Sequence, residues 1–202
     1  MLQEIDDLSK RLSAVLEKYS RSTPMIKNSI GRGLVLAEQF LRYSKMQEIR
    51  RGKEDINICG VARKIGEKYQ KAFGDSGIRY TIDSPQGEEL IVKGDYVQLE
   101  QILENPILNA KDALEGKAGE IGISLSKKDD SVNIIVSDTG KGIPEENIKK
   151  VFEPFFSTKG SKGTGLGLKF VKKLVEAYGG SISIESNVGV GTQVQIDLIR
   201  DD

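Results

Sequence analysis

The chain has 202 residues, 38% hydrophobic and 30% charged, with 30 Lys and Arg against 30 Asp and Glu. That length carries one full core plus a smaller element, and the even charge balance argues against a general nucleic-acid or membrane-surface binder. A single cysteine, Cys59, excludes a disulfide framework and reads as a small buried thiol, while the absence of any histidine removes the commonest general base, the commonest metal ligand and the acceptor of phosphohistidine chemistry.

In chain order, Leu2, Ile5, Leu8, Leu12, Val15, Leu16 and Tyr19 recur at helical steps and predict one apolar stripe. "SRSTP" at 20–24 breaks the pattern. A second stripe follows in Met25, Ile26, Ile30, Leu34, Ala37, Phe40 and Leu41, weakened by Gly31 and Gly33 inside it. Two such helices form an antiparallel hairpin whose apolar face needs cover. A homodimer that builds a four-helix bundle through these helices is therefore expected. "RRGKED" at 50–55 marks a linker, which divides the chain into residues 1–52 and 53–202.

Beyond the linker the periodicities alternate. "INI" (56–58), "IRYTID" (78–83) and "ELIVKG" (89–94) read as strands, and residues 61–73 and 96–114 as helices. "EIGISLSK" and "SVNIIVSD" alternate with period two around "KKDDS" and predict an antiparallel hairpin. Residues 166–178 read as a helix stopped by Gly179 and Gly180, and "SISIES" and "TQVQIDLI" as closing strands. The expected fold class is α+β: the helical hairpin, then a two-layer α/β sandwich with a mixed sheet and helices on one face. No run approaches the roughly 18 apolar residues of a membrane span, and no signal-peptide pattern opens the chain. A cytoplasmic location, with no membrane contact within the chain, is expected.

Four stretches carry candidate chemistry. "VSDTGKGIP" (136–144) sets Asp138 at a strand end before Gly140 and Gly142, where a carboxylate accepts from an exocyclic amine and glycines let a flat base approach the backbone. The same residues also make an ordinary D-x-G turn. "LEQILENPILNAKDAL" (99–114) places Asn105 and Asn109 one helical turn apart. An amide oxygen there can ligate Mg²⁺ when a substrate's phosphates supply the other oxygens. "VFEPFFSTKG" (151–160) packs three phenylalanines beside Ser157, Thr158 and Lys159. "GSKGTGLGL" (160–168) runs into a helix, which is how backbone N–H groups reach a phosphate, yet it matches neither the P-loop order nor the G-x-G-x-x-G pattern.

Taken in this order, the four stretches resemble the ATP-binding catalytic domain of sensor histidine kinases, within the GHKL family shared with gyrase-type ATPases, Hsp90 and MutL. "FEPFFSTK…GTGLGL" is most similar to kinases related to nitrogen-regulatory sensors, and the resemblance spans about residues 95–199. It implies the Bergerat ATP-binding fold, with ATP and Mg²⁺ as cofactors. It further implies that Asp138 binds the adenine amino group, that Gly140 and Gly142 line the base, and that Thr192 lies near the adenine. Asn109 would hold Mg²⁺ with Asn105 beside it. The amides of Gly163, Thr164, Gly165, Leu166 and Gly167 would cradle the triphosphate, and Lys159 or Lys162 would neutralise its charge. Pro106 departs from a regular helix: it removes a donor at a cost of about 3 kcal/mol unless the helix bends. A kink there would displace Asn109.

The N-terminal hairpin also resembles the dimerisation and phosphoacceptor helices of these kinases, through "FLRYSK" (40–45) and "IDDLSKRLSAVL" (5–16). In that register Asp6 takes the position of the acceptor histidine, Asp7 that of the adjacent acidic base, and Lys10 that of a phosphatase-supporting Asn or Thr. Acidic residues on a solvated helix face give the same pattern. The missing histidine leaves three readings: an acceptor-substituted kinase, a pseudokinase using ATP as a conformational ligand, or a chain that begins after the true acceptor. A response regulator is the implied partner of a two-component kinase. A GHKL serine kinase would use the same site on a partner's hydroxyl, whereas a gyrase-like ATPase would be expected to continue into a transducer domain beyond residue 202.

Overall fold

The computed structural model describes residues 51–73, 76–159 and 163–200, with residues 10, 11, 14 and 15 besides. The predicted N-terminal hairpin, with Asp6 and Asp7, lies outside the described residues apart from Lys10, Arg11, Ala14 and Val15, which are helical. The chain divides into two compact units, Met1–Gln47 and Glu48–Asp202.

The second unit opens with β1 (Glu54–Asn57) and α1 (Ile58–Phe73). The strand ends one residue earlier, and the helix starts three residues earlier, than the sequence suggested. The Asn57 carboxamide accepts from the Cys59 amide at 3.1 Å, an N-cap that turns the chain at Ile58. Next come β2 (Ile78–Asp83), β3 (Ile91–Gly94) and α2 (Tyr96–Ala113). Asp95 caps α2 by accepting from the Gln98 amide at 3.0 Å. Along α2 the residues Leu99, Ile102, Leu103, Pro106, Ile107 and Ala110 are buried, one stripe at helical spacing.

Pro106 does not interrupt α2, contrary to the break expected from its missing donor. It sits on the buried stripe, so its ring adds to the packed face. Beside it the Asn105 side-chain amide donates to the Gln101 carbonyl at 2.9 Å, giving that turn a supporting hydrogen bond.

The predicted hairpin forms from β4 (Gly119–Lys128) and β5 (Ser131–Asp138), paired Lys128 to Ser131. A short helix α3 (Glu145–Ile148), the helix α4 (Gly167–Ala177) and the strands β6 (Ser181–Asn187) and β7 (Gly191–Ile199) complete the unit. α4 ends as the two glycines require. Gly179 adopts φ +68°, its amide donates to the Glu176 carbonyl, and the Gly180 amide donates to the Val175 carbonyl. That is a Schellman stop.

Five strands order as β2-β4-β5-β7-β6, and only the β2–β4 pair is parallel. The register aligns one face: Ile123 with Val136 and Val194, and Leu125 with Ile134 and Ile196. These side chains are buried together with the inner faces of α1, α2 and α4. The opposite face carries Ser124, Ser137, Gln193, Gln195 and Ser183. The result is the two-layer sandwich with a mixed sheet that the alternation predicted. β1 and β3 pair separately as a small antiparallel sheet.

Candidate functional site

The last rung of the sheet positions the first functional group. Asp138 ends β5 opposite Thr192 of β7 and Ile121 of β4. Its carboxylate accepts from the Gly140 amide at 2.8 Å. Burial raises the Asp138 pKa above the ordinary aspartate value, opposed by hydrogen bonds from the backbone amides of Gly140 and Thr192. Two donors fix one side of a half-buried carboxylate whose other lone pairs can still accept.

Gly140 and Gly142 follow the strand end, and the protein's own backbone explains them first. A Cβ on Gly140 would run into Ala113 at the end of α2. A Cβ on Gly142, which has φ +71°, would run into the Asn187 carbonyl at the end of β6. Close packing of the D-x-G-x-G loop between α2 and the β6–β7 turn therefore demands both glycines, whatever else approaches them. Ser186, which sequence reasoning missed, ties this corner together. Its hydroxyl accepts from the Ile143 amide and donates to the Gly191 carbonyl, both at 2.8 Å. The Thr192 hydroxyl lies 3.0 Å from it and is thereby held beside Asp138. A serine in "SISIESN" gives no signal of such a role.

α2 is the ruler along which the remaining parts are strung. At its C-terminal end the Ala113 carbonyl accepts from the Lys141 amide, and the Lys141 ammonium pairs with Glu115 at 2.8 Å. One turn earlier, the Asn109 side-chain oxygen accepts from the Lys159 ammonium at 2.9 Å, and the Asp112 carboxylate pairs with the same ammonium at 2.7 Å. Another turn earlier, the Asn105 side-chain oxygen faces Gly167, the first residue of α4, near enough to crowd a Cβ there. Residues 105 to 113 span about 12 Å at 1.5 Å per residue, so one helical face reaches the D-x-G-x-G loop, the Lys159 ammonium and the start of α4.

The glycine run 163–167 leads into α4 without a side-chain cap, and no acidic residue occupies the first turn. Its first amides therefore form a positive end that can receive an anion. The loop is shaped by the aromatic stretch: Gly165, at φ +65°, accepts at its carbonyl from the Phe155 amide at 3.1 Å, and a Cβ on it would run into the Phe155–Phe156 peptide. Phe155 itself takes φ +65°, an uncommon conformation for a side-chain-bearing residue. The predicted Lys162 lies outside the described residues, with Gly160 and Ser161.

Among the described residues no group of three His, Cys, Asp or Glu side chains could cage a metal ion. A half-buried amide oxygen that already faces an ammonium nonetheless fits Mg²⁺ brought in on a phosphate chain, with Asn109 as its protein ligand. Among those residues no helix is long and apolar enough to cross a membrane.

Comparison with known proteins agrees with this geometry. A family model described as "Histidine kinase-, DNA gyrase B-, and HSP90-like ATPase" matches residues 94–201. The sensor kinase CckA of Brucella abortus is 35% identical over 192 residues, covering 87% of this chain and 20% of that protein. A protein of Rickettsia typhi named as an NtrY-like sensor histidine kinase is 32% identical over 194 residues, covering 96% of this chain and 30% of that one. The chain thus spans about a fifth to a third of these relatives. Among solved structures, the nucleotide-free catalytic domain of histidine kinase ThkA superposes with a TM-score of 0.66 at 29% identity, over 73% of this chain and 95% of that one.

Proposed function

The chain belongs to the histidine kinase-, DNA gyrase B- and HSP90-like ATPase family and carries the ATPase domain of a two-component sensor histidine kinase; from that premise we propose that it binds one ATP with Mg²⁺ and does not phosphorylate itself. The observation that supports this most is the alignment along α2 of the Asp138 corner, the Lys159 ammonium over Asn109 and the uncapped start of α4. Asp138 accepts from the adenine amino group, with Thr192 beside it and Gly140 and Gly142 lining the base. The amides of Gly163 to Gly167 take the phosphates, and Lys159 or Lys162 offsets their charge. Asn109, with Asn105 a turn away, would hold Mg²⁺, which would supply positive charge against the phosphates. Calorimetric titration with ATP and ADP, with and without Mg²⁺, tests this. Absence of binding by the unmodified chain would overturn it.

Autophosphorylation on histidine needs an imidazole, and this chain has none. With Asp6 at the acceptor position and Asp7 as the adjacent base, the carboxylate is a weaker nucleophile and its acyl phosphate is labile. Incubation with γ-labelled ATP should leave no acid-labile, base-stable label on the chain, and Asp6→His should restore it. Strong base-stable label on the unmodified chain would refute this account. The apolar stripes of residues 1–52 support a homodimer, which light scattering at micromolar concentration checks. A response regulator is the partner of the full kinase. A serine kinase or an ATP-gated conformational switch in the same family would differ by labelling an added protein without self-labelling, or by labelling neither.

A further inference from the structure

The contact between residues 155–159, here termed the lid, and helix α2 has a chemical oddity. Lys159 does not point to open solvent, where a phosphate-seeking ammonium would be free. It bridges the Asn109 amide oxygen at 2.9 Å and the Asp112 carboxylate at 2.7 Å, with about a third of its side chain exposed. Asn109 and Asp112 are three residues apart on α2 and share a face. The amide oxygen assigned to Mg²⁺ is therefore engaged by a cation that the chain itself supplies, and a carboxylate one turn on holds that cation there.

We propose that Asp112 is a positioning residue that pins Lys159 over Asn109, so that the lid lysine and Mg²⁺ compete for the same oxygen and Mg²⁺–nucleotide binding releases the lid. The inference rests on the reading of the site as an ATP–Mg²⁺ site. An ammonium and a divalent ion in contact with one amide oxygen repel each other, so occupancy by one disfavours the other. Mg²⁺ reaches Asn109 only as Lys159 leaves, and the lysine's new partner is the phosphate chain that arrives with the metal. The work of separation is set mainly by Asp112, since a carboxylate holds an ammonium more strongly than a neutral amide does. Asp112 is more than half exposed, so the pin is a modest one. That suits a contact that must open at every binding event: a ligand shifts such an equilibrium only by its differential affinity for the two states.

The test separates this role from two ordinary ones by sign. Asp112→Asn should tighten binding of ADP in magnesium chloride by roughly two- to five-fold, the range of an exposed ion pair released in advance. If Asp112 instead ligated Mg²⁺, or merely supported the fold, the same variant would weaken binding. In a Lys159→Met background the Asp112→Asn effect should vanish, because nothing remains for Asp112 to hold. An undiminished effect there would overturn the proposal. Without nucleotide, hydrogen exchange at the amides of residues 155–159 should speed up in Asp112→Asn while the β4–β5 amides stay unchanged. This arm stands apart from nucleotide binding. A wild type that binds no ADP would refute the functional reading, whereas unchanged lid exchange would refute the pin.

Discussion

The two ends of the candidate site are built by different means. At the base end, Asp138 is fixed by strand register and by amides of its own loop, and Thr192 is held through Ser186. At the phosphate end, the parts are a loop of glycines, an aromatic turn and one long side chain spanning from the lid to α2. The base end is built into the sheet. The phosphate end depends on contacts that a ligand can exchange, so changes that disturb packing at the base end should damage fold and recognition together, and changes at the phosphate end should alter mainly what the site distinguishes.

The sharpest break of that contrast is Gly142→Ala. The new methyl would meet the Asn187 carbonyl at a residue with φ +71°, so strain and overlap coincide. A loss of about 3 kcal/mol in unfolding free energy, read by urea denaturation, is expected. Next comes Asp138→Asn, which should weaken nucleotide binding by about 1–3 kcal/mol in calorimetry, because a buried acceptor is changed to a mixed donor and acceptor. Its effect on stability should run the other way. Burial raises the folded-state pKa of this carboxyl, so its contribution to stability is present below the ordinary aspartate value and lost as the pH rises through the folded value. The Asn variant should therefore melt at or above the wild-type temperature at neutral pH, and the gap should close on acidification. Thermal scans across that range decide the matter.

Smaller effects sharpen the comparison. Ser186→Ala leaves the Ile143 amide and the Gly191 carbonyl without this partner and frees the Thr192 hydroxyl. A cost of about 1 kcal/mol in both melting stability and adenosine affinity is expected, linking fold to recognition at this end. Gly165→Ala should do the reverse. Its methyl would press on the Phe155–Phe156 peptide, but the lid can shift, so the stability loss should stay at or below about 1 kcal/mol. Adenosine affinity should hold while the preference for ATP over adenosine falls. Equal losses for both ligands would mean that the two ends are not mechanically distinct.

Most of the sandwich was legible because its signals are local. The alternation in 120–127 and 131–138 and the Gly179–Gly180 stop both act within a few residues of themselves. Pro106 was legible as a defect but not as a packed one, because only tertiary burial shows that it lies on the buried face. In the candidate site, Asp138 announced itself by ending a strand before glycines. Lys159 was read as a phosphate partner, yet its contacts with Asn109 and Asp112 cross a separation of about fifty residues that periodicity cannot span. The spacing of Asp112 from Asn109 was the one available hint. The glycines of the D-x-G-x-G loop were assigned to a ligand for the same reason: the backbone they accommodate comes from α2 and β6, both distant in sequence.

The strand order carries a kinetic consequence. β5 pairs with β7, and everything from residue 139 to 190, including the lid and α4, is inserted between these neighbours. Asp138 meets Thr192 only when that long excursion has closed, and loop-closure entropy makes such a pairing late relative to the β4–β5 hairpin. On that ground the base corner closes after the β4–β5 hairpin rather than with it. A nucleotide seated there stabilises contacts that the transition state lacks, and so slows escape from the native state while leaving the rate of reaching it unchanged. For this chain, ligand protection is a matter of lifetime.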